Sequence, residues 1–119
     1  MFAGRWVNDR GSAMILEQHD DRISGRYLTQ IGHEEVTGRD HSIVGVANGT
    51  TIGFVVAWPA AGSVTAWAGR IETDPHGNAT LHTVWHLVRS VTGEPPRELG
   101  IWESFLTNSS VFRKAGGGT

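Results

Sequence analysis

Residues 51–73 read TIGFVVAWPAAGSVTAWAGRIET. The stretch from Pro59 to Gly62 divides two strand-like segments, 50–58 and 63–73, with residues that favour turns. In the second segment Thr65 and Trp67 alternate with Val64, Ala66 and Ala68, the period of two that a pleated strand imposes. A connection this short leaves no room for a crossover helix, so the two strands are expected to pair antiparallel.

The same reading extends outward in both directions. Turn signals recur at Asp9 to Gly11, His19 to Asp21, Gly32 to Glu34, Asn48-Gly49, Asp74 to Asn78 and Gly93 to Pro96. Together with Pro59 to Gly62 they cut the chain into eight segments near 4–8, 12–18, 22–31, 35–44, 50–58, 63–73, 79–91 and 98–113. None carries a clean helical stripe. Sixteen glycines in 119 residues also argue against long helices, because each costs roughly 1 kcal/mol relative to alanine inside one. The expected fold is therefore all-β: an eight-stranded antiparallel up-and-down β-barrel over residues 1–114, with 115–119 as a flexible tail poor in side chains. A two-sheet sandwich is the alternative.

Composition narrows the function classes. Ten Lys and Arg against twelve Asp and Glu give a formal charge of −2, so there is no cationic excess to condense onto a phosphate backbone or an acidic membrane surface. No nucleic-acid or membrane partner is expected. The absence of cysteine removes disulfides, a thiolate nucleophile and thiolate-held metals. His41 to Gly69 contains no Asp, Glu, Lys or Arg, but Asn48, Gly49, Thr50, Thr51, Gly53, Pro59 and Gly62 break it, so it does not read as a span. The start MFAGRW does not read as a signal peptide.

Period two also assigns faces, and the tryptophans set the parity, because a large aromatic favours the inside of a small barrel. Trp6 then brings Asn8 inward; Met14 and Leu16 bring Ser12; Ile23 brings Tyr27 and Thr29. Trp67 brings Thr65, Leu81, Trp85 and Leu87 bring Thr83, and Phe112 brings Ser110. Several hydroxyls and an amide among indoles are a poor purely packed core, since a buried polar group without a partner costs a few kcal/mol. The pattern predicts a compact polar ligand inside the barrel. Internal bonding among the hydroxyls, or a buried water, is the competing reading, and it requires a network across six scattered groups.

The chain resembles the avidin and streptavidin family. GRWVNDRGS is similar to the family's first strand and turn, SGRYLTQIG to the third strand, TIGFVVAW to the fifth, SVTAWAGR to the sixth, LHTVWHL to the seventh and WESFLTNSSVF to the last. These six motifs stand in order from Gly4 to about Lys114, and all five tryptophans fall where the family has tryptophan. The resemblance implies noncovalent, non-catalytic binding of biotin as a ligand, with no cofactor and no metal. It matches Asn8, Ser12 and Tyr27 to donors on the ureido oxygen, Thr29 to an acceptor for a ureido N–H, Thr65 to the hydroxyl facing the ring sulfur, and Ser63 to one reaching the carboxylate tail. Trp58, Trp67 and Trp85 match the indoles walling the ring, and Ile31, His33 and Leu87 fall at further ligand-contact positions. Trp102 matches the tryptophan lent to a neighbouring subunit, which implies a homotetramer, with a dimer as fallback. Export from the cell is a further implication.

Two departures from the family pattern bear on affinity. Ser110 stands where the family places a carboxylate or amide acceptor, and a hydroxyl accepts more weakly. The loop Gly32 to Glu35 is short, with His33 and Glu34 in place of small polar residues. Both predict weaker or faster-releasing biotin binding. They also sustain the alternative of an avidin-like barrel whose ligand is another small molecule or a peptide.

Other signals read as bland. His82 and His86 are four apart, a metal-ligand spacing on a helix; in a strand it separates them by roughly 13 Å and, opposite in parity to Trp85, puts them outside. There they could tune assembly by titrating near neutral pH. Asp20-Asp21 and Glu34-Glu35 read as solvated turns. The sequons at Asn48, Asn78 and Asn108 matter only in a eukaryotic secretory pathway. An enzyme built on Asp40, His41 or the His82 region lacks a nucleophile, base and orienting group at interpretable spacing.

Overall fold

The computed structural model describes residues 1–28, 40–59, 62–89 and 105–115. Their strands are β1 (Gly4–Asn8), β2 (Ala13–His19), β3 (Arg22–Leu28), β4 (Asp40–Asn48), β5 (Thr51–Trp58), β6 (Ser63–Thr73), β7 (Ala79–Arg89) and β8 (Phe105–Lys114). They form one closed barrel in the order β1 to β8, with every neighbouring pair antiparallel. Closure comes from β8 returning to β1, with Trp6 opposite Lys114 and Asn8 opposite Phe112. The sandwich alternative is thereby excluded, and among the described residues closure leaves no unpaired edge strand to attract a foreign chain.

The register follows the sequence parity. Ser63, Thr65 and Trp67 of β6 are buried while Val64 and Ala68 are exposed, and β5 alternates in the same way from Ile52 to Trp58. The expected end of the fourth strand at residue 44 is corrected: β4 continues to Asn48 and pairs through Asn48↔Thr51. Gly45 does not break it because that position faces inward against β5, where a Cβ would meet the Gly53 carbonyl and lie 2.7 Å from Phe54 Cβ. Gly69 serves similarly. A Cβ there would lie 2.6 Å from the His82 carbonyl oxygen and 2.8 Å from Thr83 Cγ2, so the glycine lets Thr83 pack inward across the β6–β7 pair.

The barrel interior is divided along its length. Phe2, Trp6, Met14, Leu16, Ile23, Ile52, Phe54, Leu81 and Phe112 are nearly or fully buried and fill one part with apolar side chains. Phe2 is tied in by its carbonyl, which accepts from Trp6 Nε1 at 2.8 Å, while its N–H donates to Gln18 Oε1 at 2.9 Å. Burial of such side chains contributes ~1.5–3 kcal/mol each. The remaining part is lined by the polar residues that share parity with the tryptophans.

Candidate functional site

That second part encloses a cavity of about 290 Å³ lined by Asn8, Arg10, Ser12, Tyr27, Trp58, Thr65, Trp67, Trp85, Leu87 and Ser110. Its size sits near the lower end of the roughly 300–1,000 Å³ typical of small-molecule sites. Ten residues from β1, the β1–β2 turn, β3, β5, β6, β7 and β8 converge on it, so barrel closure is what assembles it.

One wall is polar. Asn8 ends β1, and its Oδ1 accepts from the backbone N–H groups of Arg10 at 3.0 Å and Ser12 at 2.9 Å. With the carbonyl oxygen engaged by the turn, the amide nitrogen is left as the group Asn8 can present to the cavity it lines. Ser12 hydrogen-bonds the Tyr27 hydroxyl. Burial pushes the Tyr27 phenol above its ordinary value, against the smaller opposing effects of that hydrogen bond and of the Arg10 charge. The phenol is therefore a protonated donor at neutral pH.

The other walls are aromatic. Tyr27 stacks on Trp67 with centroids 5.1 Å apart and meets Trp58 edge-on at 5.7 Å. Phe54 supports Trp67 from behind at 4.9 Å and 12°. Such pairs contribute about 0.5–1.5 kcal/mol beyond their burial and hold the rings in one geometry. His41, directly across from Tyr27 in the register, lies against Trp58 at 4.8 Å.

The inward hydroxyls are bonded to indoles. Trp58 Nε1 donates to Thr65 Oγ1 at 2.8 Å, and Trp85 Nε1 donates to Ser110 Oγ at 3.0 Å. Thr83 Oγ1 donates to the Ser110 carbonyl at 2.8 Å. Among the described residues no fully buried side-chain polar atom lacks a partner. The competing reading of internal bonding requires a network across six scattered groups, and among the described residues the indole N–H groups, which that reading leaves out as donors, supply part of one. The direction of these bonds still matters: where an indole donates to Thr65 or Ser110, the hydroxyl keeps its own proton for another acceptor.

Of the residues proposed from the sequence, Asn8, Ser12, Tyr27, Trp58, Thr65, Trp67, Trp85, Leu87 and Ser110 come together around this cavity. Ser63 is buried at the start of β6 opposite Trp58 but is not among its lining residues. Thr29, Ile31, His33 and Trp102, and the Gly32–Glu35 loop, lie outside the described residues. Sequence reasoning missed Arg10, which belongs to a turn where period two gives no parity. His82 and His86 are exposed on the outer face; His82 Nε2 lies 3.5 Å from Glu72 Oε2 and His86 Nδ1 lies 2.8 Å from Thr107 Oγ1.

Comparison with known proteins places these features in context. The sequence pattern of the Avidin family matches residues 1–115. Afifavidin from Afifella pfennigii is 36% identical over 87 residues, which cover 69% of this chain and 54% of that protein. The chain thus spans about half the length of that curated relative. Among solved structures, Xenavidin is 28% identical with a TM-score of 0.79, covering 95% of this chain and 96% of its own. A biotin binding protein from chicken is 26% identical with a TM-score of 0.79, covering 94% of each chain.

Proposed function

The chain belongs to the avidin family, a family of non-enzymatic binding proteins, and from that premise we propose that it binds biotin noncovalently inside the barrel. The observation that carries the reading is the pairing of a donor wall with an indole enclosure in one cavity. Asn8 Nδ2, the Tyr27 hydroxyl and the Ser12 hydroxyl, which turns from Tyr27 to the ligand, donate to the ureido oxygen. Three donors on one oxygen draw charge onto it in a site with little water, where each bond is stronger than in solution. Thr65 offers its proton to the ring sulfur, and Trp58, Trp67, Trp85 and Leu87 bury the bicyclic ring. Ser110 lies beside the second ureido N–H, and Thr29, Ile31, Ser63 and His33 meet the remaining ring and tail groups.

Ser110 makes this a faster-releasing site than one with a carboxylate there, because a neutral acceptor forms a bond roughly half as strong. The same substitution favours a second reading, in which the barrel has shifted to another small ligand or a peptide and retains only weak biotin affinity. Titration with biotin by calorimetry, with tryptophan fluorescence in parallel and a competition off-rate, separates the two. One biotin per chain with an indole signal is expected. No heat and no spectral change would leave the second reading.

Self-association as a homotetramer belongs to the same proposal. Val44, Val46, Val55, Val64, Val84, Val88 and Leu106 are all at least 36% exposed on β4 to β8, an apolar outer face broad enough to bury against further copies. Trp102 reaches the neighbouring copy's pocket in this assembly. Light scattering should give four chains; a stable dimer would reduce the proposal to its fallback, and a monomer would remove it. Export from the cell is proposed with it, to be checked by fractionation of the source cells.

A further inference from the structure

The described cavity lining contains one charged side chain, Arg10, and no carboxylate. Arg10 occupies the β1–β2 turn between Asn8 and Ser12, and its backbone N–H is fixed at 3.0 Å from Asn8 Oδ1. Its position in the chain is thereby tied to the donor wall. Among the described residues its guanidinium has no ion-pair partner, and its charge is felt at the Tyr27 hydroxyl, where it opposes the larger effect of burial. Across the cavity, the β8 position that could have supplied a counter-charge is the neutral Ser110, already accepting from Trp85.

We propose that Arg10 sets the head-group preference of this cavity, favouring a ligand head that carries a negatively polarised or anionic oxygen and rejecting a cationic head. The inference rests on the biotin reading for the placement of the ligand, and adds a net charge to the selectivity of the neutral donor wall. The Ser12 and Tyr27 hydroxyls can turn a lone pair towards a different head, whereas a guanidinium cannot lose its charge. Arg10 is exposed at the cavity's rim, and with no carboxylate in the described lining to offset it, the field at the head end is positive, so a cation there meets a repulsion that salt partly screens.

The test compares biotin with 2-iminobiotin, in which an imino nitrogen replaces the ureido oxygen and the head is a protonated cation at neutral pH. Competition binding at neutral pH gives the affinity ratio of the two ligands for the wild-type protein and for Arg10→Met, Arg10→Gln and Arg10→Lys. Two neutral variants of different shape guard against one of them failing to fold. Both are expected to shift the ratio by about tenfold towards the cationic analogue, and Arg10→Lys is expected to keep the wild-type ratio. A ratio unchanged within twofold in either folded neutral variant, while biotin still binds, overturns the role of Arg10. A shift of the same size in Arg10→Lys overturns it too, because that result would mean shape and not charge. Wild-type protein that binds no biotin overturns the biotin reading and this inference with it, a result distinct from the first two.

Discussion

Trp58 Nε1 donates to Thr65 Oγ1 at 2.8 Å, joining the last residue of β5 to the inner face of β6 beneath the cavity. The bond fixes the plane of an indole that Tyr27 meets edge-on, and it orients the hydroxyl. A ligand acceptor facing Thr65 then finds a proton already directed away from the indole. One contact thus couples the shape of the aromatic wall to the polarity of the lining.

Thr65→Val separates these effects from simple loss of volume, since valine fills nearly the same space. The buried indole N–H is left without its partner, so the ligand-free protein should lose about 1–3 kcal/mol of stability, measured by denaturant unfolding. In a Trp58→Phe background the same substitution should cost clearly less, because the N–H is already gone. Equal costs in the two backgrounds would show that the hydrogen bond contributes nothing.

Asn8 performs two tasks that a pair of variants can divide. Its Oδ1 closes the β1–β2 turn through Arg10 and Ser12, whereas its amide nitrogen is available to the ligand. Asn8→Asp retains an oxygen for the turn and removes the donor. It should keep stability close to wild type and weaken biotin binding by about 2–3 kcal/mol. Asn8→Ala should lose both. Biotin binding to Asn8→Asp as tight as to wild type would take the amide out of the site.

The inward set was legible because the pleat leaves only two faces. Once Trp6, Trp67, Trp85 and Phe112 fix which face of their strands is inside, Asn8, Thr65, Thr83 and Ser110 follow by counting, and all are buried. The limits of that counting are equally physical. Arg10 sits in a turn, where no alternation applies. The Trp85–Ser110 bond joins residues 25 apart in sequence, and only the β7–β8 register, with Thr83 opposite Ser110, brings them together. The fourth segment reads as ending near residue 44, short of Gly45, whose constraint comes from Phe54 across the sheet, and a single strand's sequence does not show what lies beside it.

Tyr27 makes the protein sensitive to alkali. Its phenol is raised above its ordinary value of 10.0, chiefly by burial, so the folded protein holds this proton more tightly than the unfolded chain does. The associated stability is fully present below pH 10 and is lost as pH rises through the higher folded value. Biotin affinity should fall over the same range, as the ligand oxygen loses a donor and meets a phenolate. Thermal melts and binding from pH 8 to 12 should show both declines in wild type, with the Tyr27 component missing in Tyr27→Phe. A decline identical in the two proteins would assign it elsewhere.

Ser110 offers the most direct change in ligand residence time. Its Oγ accepts from Trp85 Nε1 at 3.0 Å, and the residue is 7% exposed. Ser110→Asp would supply a carboxylate with lone pairs for the indole and for a ligand N–H at once, and charge-assisted bonds are roughly twice as strong as neutral ones. Biotin should leave this variant about ten- to a hundredfold more slowly. The ligand-free barrel should be less stable, because the carboxylate is desolvated there with one neutral donor beside it. The two effects have opposite signs, so the variant should melt earlier than wild type alone and gain more on adding biotin. An unchanged off-rate in a folded Ser110→Asp protein would mean that the ligand's second N–H does not lie at this position, and that the ring sits in the cavity in another orientation.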